Sequence, residues 1–281
     1  MKASKIYLYI LTFLALSCKK ENTIKTPEIT DPQLIAHLDS MLSAVGVTTY
    51  SDILYGKLEG NFDFYSHYYP YDANCFTDSI PFKINTKLSG GISLDTNNRF
   101  SLINGGDLYI NNIKITPELN STSQYVYFAK TEIMPDLDKV YGKNNQIKII
   151  KDDVTILNTS LFIPKNIAMA GIDCSTGMFP DNALKAGFKI QWNKDDSNKD
   201  GVVIELLGKD NSGAERYSYI LVPDIGYYYF SAANLSRYPK EKNPLGIDVK
   251  LIRGNFVFLF GNDNRRYNFN FVTTCSYLFR Q

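Results

Sequence analysis

Tyrosines crowd the stretch "FDFYSHYYPYDANCF", where Tyr65, Tyr68, Tyr69 and Tyr71 surround Pro70. Tyrosine joins an apolar face to a hydroxyl, which is what flat recognition of a sugar or a peptide uses. The competing reading is that these rings pack a sandwich edge or a rigid loop. Tyr227 and Tyr229 form a smaller exposed candidate of the same kind, on the strand parity opposite to Tyr228. The stretch "DDSNKDG" offers a different chemistry. Its Asp196, Asn198 and Asp200 bring oxygens to alternate positions before Gly201, the layout that turns side chains inward on one calcium ion. Leu207 stands where an EF-hand needs its bidentate glutamate, and Glu205 comes two residues early, so an EF-hand is excluded and a polar hairpin turn is the alternative.

The search for catalytic machinery is negative. The chain carries no H-E-x-x-H, no G-x-S-x-G and no G-x-x-x-x-G-K-[ST], and its cysteines lack C-x-x-C spacing. Only two histidines, His37 and His67, could act as imidazole bases or ligands, too few for a multi-histidine zinc site. A pair of acids of the glycosidase type leaves no signature in sequence. The reading is therefore a non-catalytic binding module for a glycan or an envelope protein. A carboxylate-dependent polysaccharide hydrolase and a structural or adhesion subunit stand as alternatives, and calcium is the one cofactor the sequence raises.

The N-terminus carries Lys2 and Lys5, then an apolar run from Ile6 to Leu16 that ends in Ala15, Leu16, Ser17 and Cys18. A membrane-spanning helix needs roughly 20 apolar residues, so this run reads as the core of an export signal. The ending resembles the lipobox of bacterial lipoproteins, and the Asn-, Lys- and Tyr-rich composition resembles lipoproteins of the Bacteroidota type. That resemblance implies acylation of the Cys18 thiol with palmitate-like chains, loss of residues 1–17, and anchoring to the outer membrane on its surface or periplasmic face. The chain has a formal net charge of +1, and losing two lysines with the signal leaves it near neutral. Nucleic acid is therefore excluded as a partner, because duplex binding needs a basic surface.

The elements that would position these residues follow in order. Residues 18–31 are charged and threonine-rich with little to bury, a flexible tether. Asp31 can cap a helix whose first position is Pro32 and which Gly46 ends. Leu34, Ile35, Leu38, Met41, Leu42 and Val45 share one face of that helix, and His37 lies on the other. Beyond it the period changes to two. "DLYINNIKI", "QYVYFA", "QIKII" and "SLFIPK" are short β-branched and aromatic runs punctuated by turn residues. In the second half, "FKIQW", "VVIELL", "YSYILV", "YYYFSA", "IDVKLI", "NFVFLF" and "YNFNFVTTCSYLF" continue the pattern at the density of a sandwich. The expected fold is all-β, with two β-sandwich-type domains at 32–165 and 166–281 after the signal, the tether and one short amphipathic helix.

The stretch Asp224, Ile225, Gly226, Tyr227, Tyr228, Tyr229, Phe230 resembles the D-x-G-x-Y-x-φ corner of immunoglobulin-like and fibronectin-like domains. The resemblance implies that the Tyr228 hydroxyl bonds back to the backbone where a strand begins, and that Trp192 is the central core indole. Phe230 stands where such domains often carry cysteine. With Cys18 acylated, Cys75, Cys174 and Cys275 remain. Cys275 shares its parity with Phe269, Phe271, Tyr277 and Phe279 and reads as a buried apolar cysteine. Cys75 and Cys174 lie in turn-like surroundings where a disulfide could staple the two domains, and the alternative is three free thiols.

Overall fold

The computed structural model of the chain describes residues 60–68, 84–93, 101–170 and 184–280. Cys18, the tether, the expected helix after Asp31 with His37, Tyr69, Tyr71, Cys75 and Cys174 lie outside the described residues. The fold is all-β. Three sheets are assembled from sixteen strands among the described residues.

The largest sheet has nine strands. It runs in the order β13 (Glu215–Val222), β12 (Val202–Lys209), β15 (Ile247–Phe260), β16 (Arg266–Phe279), β1 (Gly60–Tyr68), β2 (Ile84–Ser93), β7 (Tyr125–Phe128) and β6 (Glu118–Leu119), with β3 (Leu102–Ile103) also on β2. A four-stranded sheet follows the order β5 (Ile113–Ile115), β4 (Asp107–Ile110), β8 (Lys143–Lys151), β9 (Val154–Ile163). A three-stranded sheet follows β10 (Met169–Ala170), β11 (Lys189–Trp192), β14 (Tyr227–Tyr229).

Alternation places both cores on one face of the large sheet. On β16, Tyr267, Phe269 and Phe271 pack with Leu108, Ile110, Ile147 and Ile149 of the four-stranded sheet. Further along the same parity, Cys275, Tyr277 and Phe279 pack with Ile190, Trp192 and Tyr228 of the three-stranded sheet. The two smaller sheets thus cover one face of the large sheet in turn, and the β15–β16 hairpin contributes to both cores. Expected as two strands, "IDVKLI" and "NFVFLF" form the single strand β15, because Arg253 and Gly254 continue its pairing with Thr273 and Val272.

β1 joins this hairpin in parallel, in the one parallel pairing among the described strands. The register sets Phe62 opposite Phe269 and Phe64 opposite Phe271. Those pairs stack with ring centroids 4.9 and 4.5 Å apart, geometry that adds to their area burial about 0.5–1.5 kcal/mol each. The turns obey local rules. Asp152 and Asp153 take φ of 48° and 64° between β8 and β9, the left-handed conformation that Asp tolerates in a two-residue hairpin.

A buried ion pair ties the second core to its loops. Arg253 and Asp224 have side chains 0% and 1% exposed, with Arg253 Nε 2.8 Å from Asp224 Oδ2. Asp224 also accepts from Arg253 Nη2, Trp192 Nε1 and Asn198 Nδ2, each at 2.9 Å. The guanidinium in turn donates to the carbonyls of Asn193 and Lys165 at 2.5 and 3.1 Å. One carboxylate thereby joins the indole, the strand β15 and the loop before β12.

Candidate functional site

The aromatic residues singled out in the sequence are placed in different ways. Tyr65 is half-buried on β1, and its hydroxyl lies 3.0 Å from Thr274 Oγ1 and 3.3 Å from His67 Nδ1. His67 is buried and its Nδ1 lies 2.6 Å from Thr274 Oγ1. Burial, followed by the charges of Lys250 and Lys87, pushes its pKa down to about 4, so the ring is neutral at physiological pH. Tyr65 is thus tied into the sheet. Tyr68 is the last residue of β1, opposite Ile84 on β2.

Tyr227 and Tyr229 lie on the outer side of the three-stranded sheet, Tyr227 exposed and Tyr229 half-buried. Their planes stand at 76°, and Lys189 Nζ lies 4.7 and 5.8 Å from the two ring centroids. A lysine held over mutually perpendicular rings leaves no flat plane there. Tyr228, on the opposite parity, is 2% exposed in the core. Its hydroxyl donates forward to Asn234 Oδ1 at 2.9 Å, a bond other than the backward backbone contact of the tyrosine corner.

The loop of the calcium candidate is organised as turns. Asp196 is exposed and pairs with Lys194 at 3.0 Å. Asn198 points the other way. Its amide donates to Gly201 O and Asp224, and its Oδ1 accepts from Asp200 N at 3.2 Å. Asp200 is half-buried. Among the described residues, no group of three or more His, Cys, Asp or Glu side chains gathers as a metal site. Cys275 is a free, fully buried thiol, and burial pushes its pKa up to about 12.

The arrangement best suited to a ligand lies elsewhere, at the β12–β13 hairpin. Its turn is built on Asp210, whose Oδ1 accepts from Ser212 N, Ser212 Oγ and Ala214 N at 2.8, 2.5 and 3.2 Å. Gly213, at φ 85°, supplies the left-handed residue that this loop needs. Asp210 Oδ2 accepts from Arg216 Nε at 2.9 Å. The Ser212 hydroxyl and then Arg216 hold the Asp210 carboxyl well below the usual range.

A second segment approaches this turn from the helix Ala232–Leu235, which starts in a reciprocal cap between Ser231 and Asn234. Just beyond it, Tyr238 is 1% exposed and donates to Leu206 O and Ser218 Oγ at 3.1 and 2.8 Å. Those bonds pin Arg237 and Tyr238 against β12 and β13. Between segment and turn lies a groove of about 470 Å³, lined by Asp210, Asn211, Ser212 and Arg216 on the turn side, with Tyr217, Arg237 and Tyr238.

Tyr217 continues into an aromatic pair. Tyr217 and Tyr219 are 53% and 37% exposed, their planes lie within 10° and their centroids are 6.5 Å apart. β13 ends the nine-stranded sheet, so the two rings stand on an edge strand among the described residues. Next to Tyr219 across the register, Glu205 pairs with Lys250 at 2.9 Å. A second groove, about 510 Å³, gathers Lys114, Lys139 and Lys143 over aliphatic side chains but has no aromatic lining.

The sequence reading passed over this site. The parity of "YSYILV" held the signal for the rings, because Ile220 and Val222 are buried while Tyr217 and Tyr219 alternate with them. Arg237 had none, since only the folded chain brings it to the turn. No family model matches the chain, and comparisons with curated proteins and with solved structures return no match.

Proposed function

We propose that this chain is a lipid-anchored protein of the bacterial envelope whose β-sandwich is a non-catalytic binding module for a glycan, held at the β12–β13 groove. One observation carries the reading: two exposed, nearly parallel tyrosine rings continue from a groove lined by planar polar side chains. Aromatic faces take up the C–H faces of sugar rings, and planar amides and guanidinium groups orient the hydroxyls. A protein partner is the alternative occupant. The anchor rests on Cys18 at the end of the apolar run, and tethers the module by residues 18–31. An immunoglobulin-like reading of residues 166–281 is supported by the burial of Trp192 and Tyr228 in one core.

Two measurements check this reading. Affinity electrophoresis of the mature chain through gels containing soluble plant or bacterial polysaccharides is expected to retard it in at least one gel, with no release of reducing sugar. Turnover of a polysaccharide would make it a hydrolase, and equal mobility in every gel would remove the glycan. For the anchor, intact mass of the membrane-extracted protein is expected to show an acylated N-terminal Cys18 and no residues 1–17. An unmodified Cys18 would reject it.

A further inference from the structure

Which glycan the groove selects follows from counting its uncommitted donors and acceptors, an inference that rests on the glycan reading above. The Asp210 carboxylate is consumed by four bonds from Ser212, Ala214 and Arg216. The Ser212 hydroxyl donates to Asp210, and Tyr238 is engaged with Leu206 O and Ser218. Arg237 is exposed and makes no hydrogen bond or ion pair among the described residues. Arg216 commits its Nε to Asp210, and its two terminal nitrogens make no bond among the described residues. Asn211, exposed on the turn, adds one amide.

What remains for a ligand is weighted toward N–H donors: two guanidinium groups and the Asn211 NH2, against the Asn211 amide oxygen and the Tyr217 hydroxyl as acceptors. A neutral sugar hydroxyl both donates and accepts, so a lining of this kind satisfies it only in part. A carboxylate or sulfate accepts only, and a guanidinium fork matches its planar or trigonal oxygens in pairs. Charge points the same way: two guanidinium groups and one carboxylate that stays ionised line the groove, on a chain whose formal net charge is only +1. The positive character is local to the groove rather than a property of the whole surface.

We propose that the groove binds the anionic group of an acidic glycan, a uronate carboxylate or a sulfate ester, with Arg237 as its main contact and the neighbouring sugar ring on Tyr217. Arg237 lies outside the turn scaffold, so its substitution leaves the bonds of Asp210 intact.

The test uses the mature chain and four probes: polygalacturonate, dextran sulfate, neutral dextran and neutral xylan, each at low and physiological salt. Polygalacturonate or dextran sulfate is expected to bind, and whichever binds names the source of the anion. Arg237→Ala is expected to weaken that binding at least about tenfold, whereas Lys143→Ala in the lysine-lined groove leaves it unchanged. Circular dichroism and melting temperature are expected to match the wild type for both variants. Acidic probes that bind Arg237→Ala as well as wild type, or that lose binding in Lys143→Ala instead, would overturn the inference. Binding of dextran or xylan without binding of either acidic polymer would overturn it and leave the glycan reading standing. Failure of all four would overturn the inference, and the glycan reading would fall with it only if the wider panel of gels also leaves mobility unchanged.

Discussion

Asp224→Ala is expected to lower the unfolding free energy by about 3–5 kcal/mol, the range for removing one partner of a buried ion pair. The wild-type carboxylate neutralises Arg253, whose side chain is 0% exposed, and it also receives the Trp192 indole and the Asn198 amide. Its loss would leave a guanidinium buried with only carbonyl partners at Asn193, Lys165 and Asn166, and would release the loop that Asn198 fastens. The sign of the effect comes from the uncompensated charge rather than from the worth of the pair. Asp224→Leu combined with Arg253→Met should therefore be less destabilising than Asp224→Ala alone. Denaturant unfolding monitored by Trp192 fluorescence measures both. A midpoint shift equivalent to less than about 1 kcal/mol for Asp224→Ala would mean that the pair carries little of the fold.

The second large effect is expected in binding. Replacing Tyr217 and Tyr219 together by alanine should abolish retention of the mature chain by the polysaccharide that retards the wild type, while shifting the melting temperature by only a few degrees. The reason is their placement. At 53% and 37% exposure the rings contribute much less to the core than Phe62 or Phe271, which are fully buried. Removing a well-placed aromatic anchor commonly costs at least 2 kcal/mol of binding, and two in one site remove most of a modest affinity. Tyr227→Ala is the matched control, because its ring already lies beneath Lys189. Loss of retention in Tyr227→Ala with none in the double variant would move the site to the three-stranded sheet. Loss of folding in the double variant would make these rings structural.

Much of the local structure was legible in the residues. Period-two alternation marked the strands, and the parity of "YYYF" separated buried Tyr228 and Phe230 from the outward Tyr227 and Tyr229. Parity likewise placed Cys275 with the core aromatics of β16. Turn chemistry was equally visible, as the left-handed Asn111 and the Asp152–Asp153 pair show. These features are written in neighbouring residues, and neighbours are all that a pattern samples.

What escaped was set by partners far apart in the chain. The parallel pairing of β1 with β16 joins residues 207 positions apart, such as Asn61 and Asn268. No local pattern could reveal that this pairing brings β16 aromatics into the core beneath the four-stranded sheet. Arg253 followed by Gly254 reads locally as a break between two strands, yet Asp224 and three carbonyls hold that arginine inside one continuous strand. In the loop at Asp196, alternate oxygens suggested inward ligands, but the fold splits them between solvent and the Asp224 hub. The groove has the same origin, because the bonds of Tyr238 to β12 and β13 hold Arg237 beside the Asp210 turn.

The proposed recognition of a glycan takes place where the β12–β13 turn meets Arg237 and the Tyr217–Tyr219 pair. Its most direct measurement is a titration of isotope-labelled mature chain with an oligosaccharide cut from the retarding polysaccharide, followed by nuclear magnetic resonance. Saturable shifts are expected at the tyrosine ring signals of Tyr217 and Tyr219, at the Arg237 guanidinium and at the Asn211 side-chain amide, with the Tyr227 and Tyr229 rings unchanged. Saturable shifts confined to Tyr227, Tyr229 and Lys189, or to the lysine-lined groove at Lys139 and Lys143, would contradict the account.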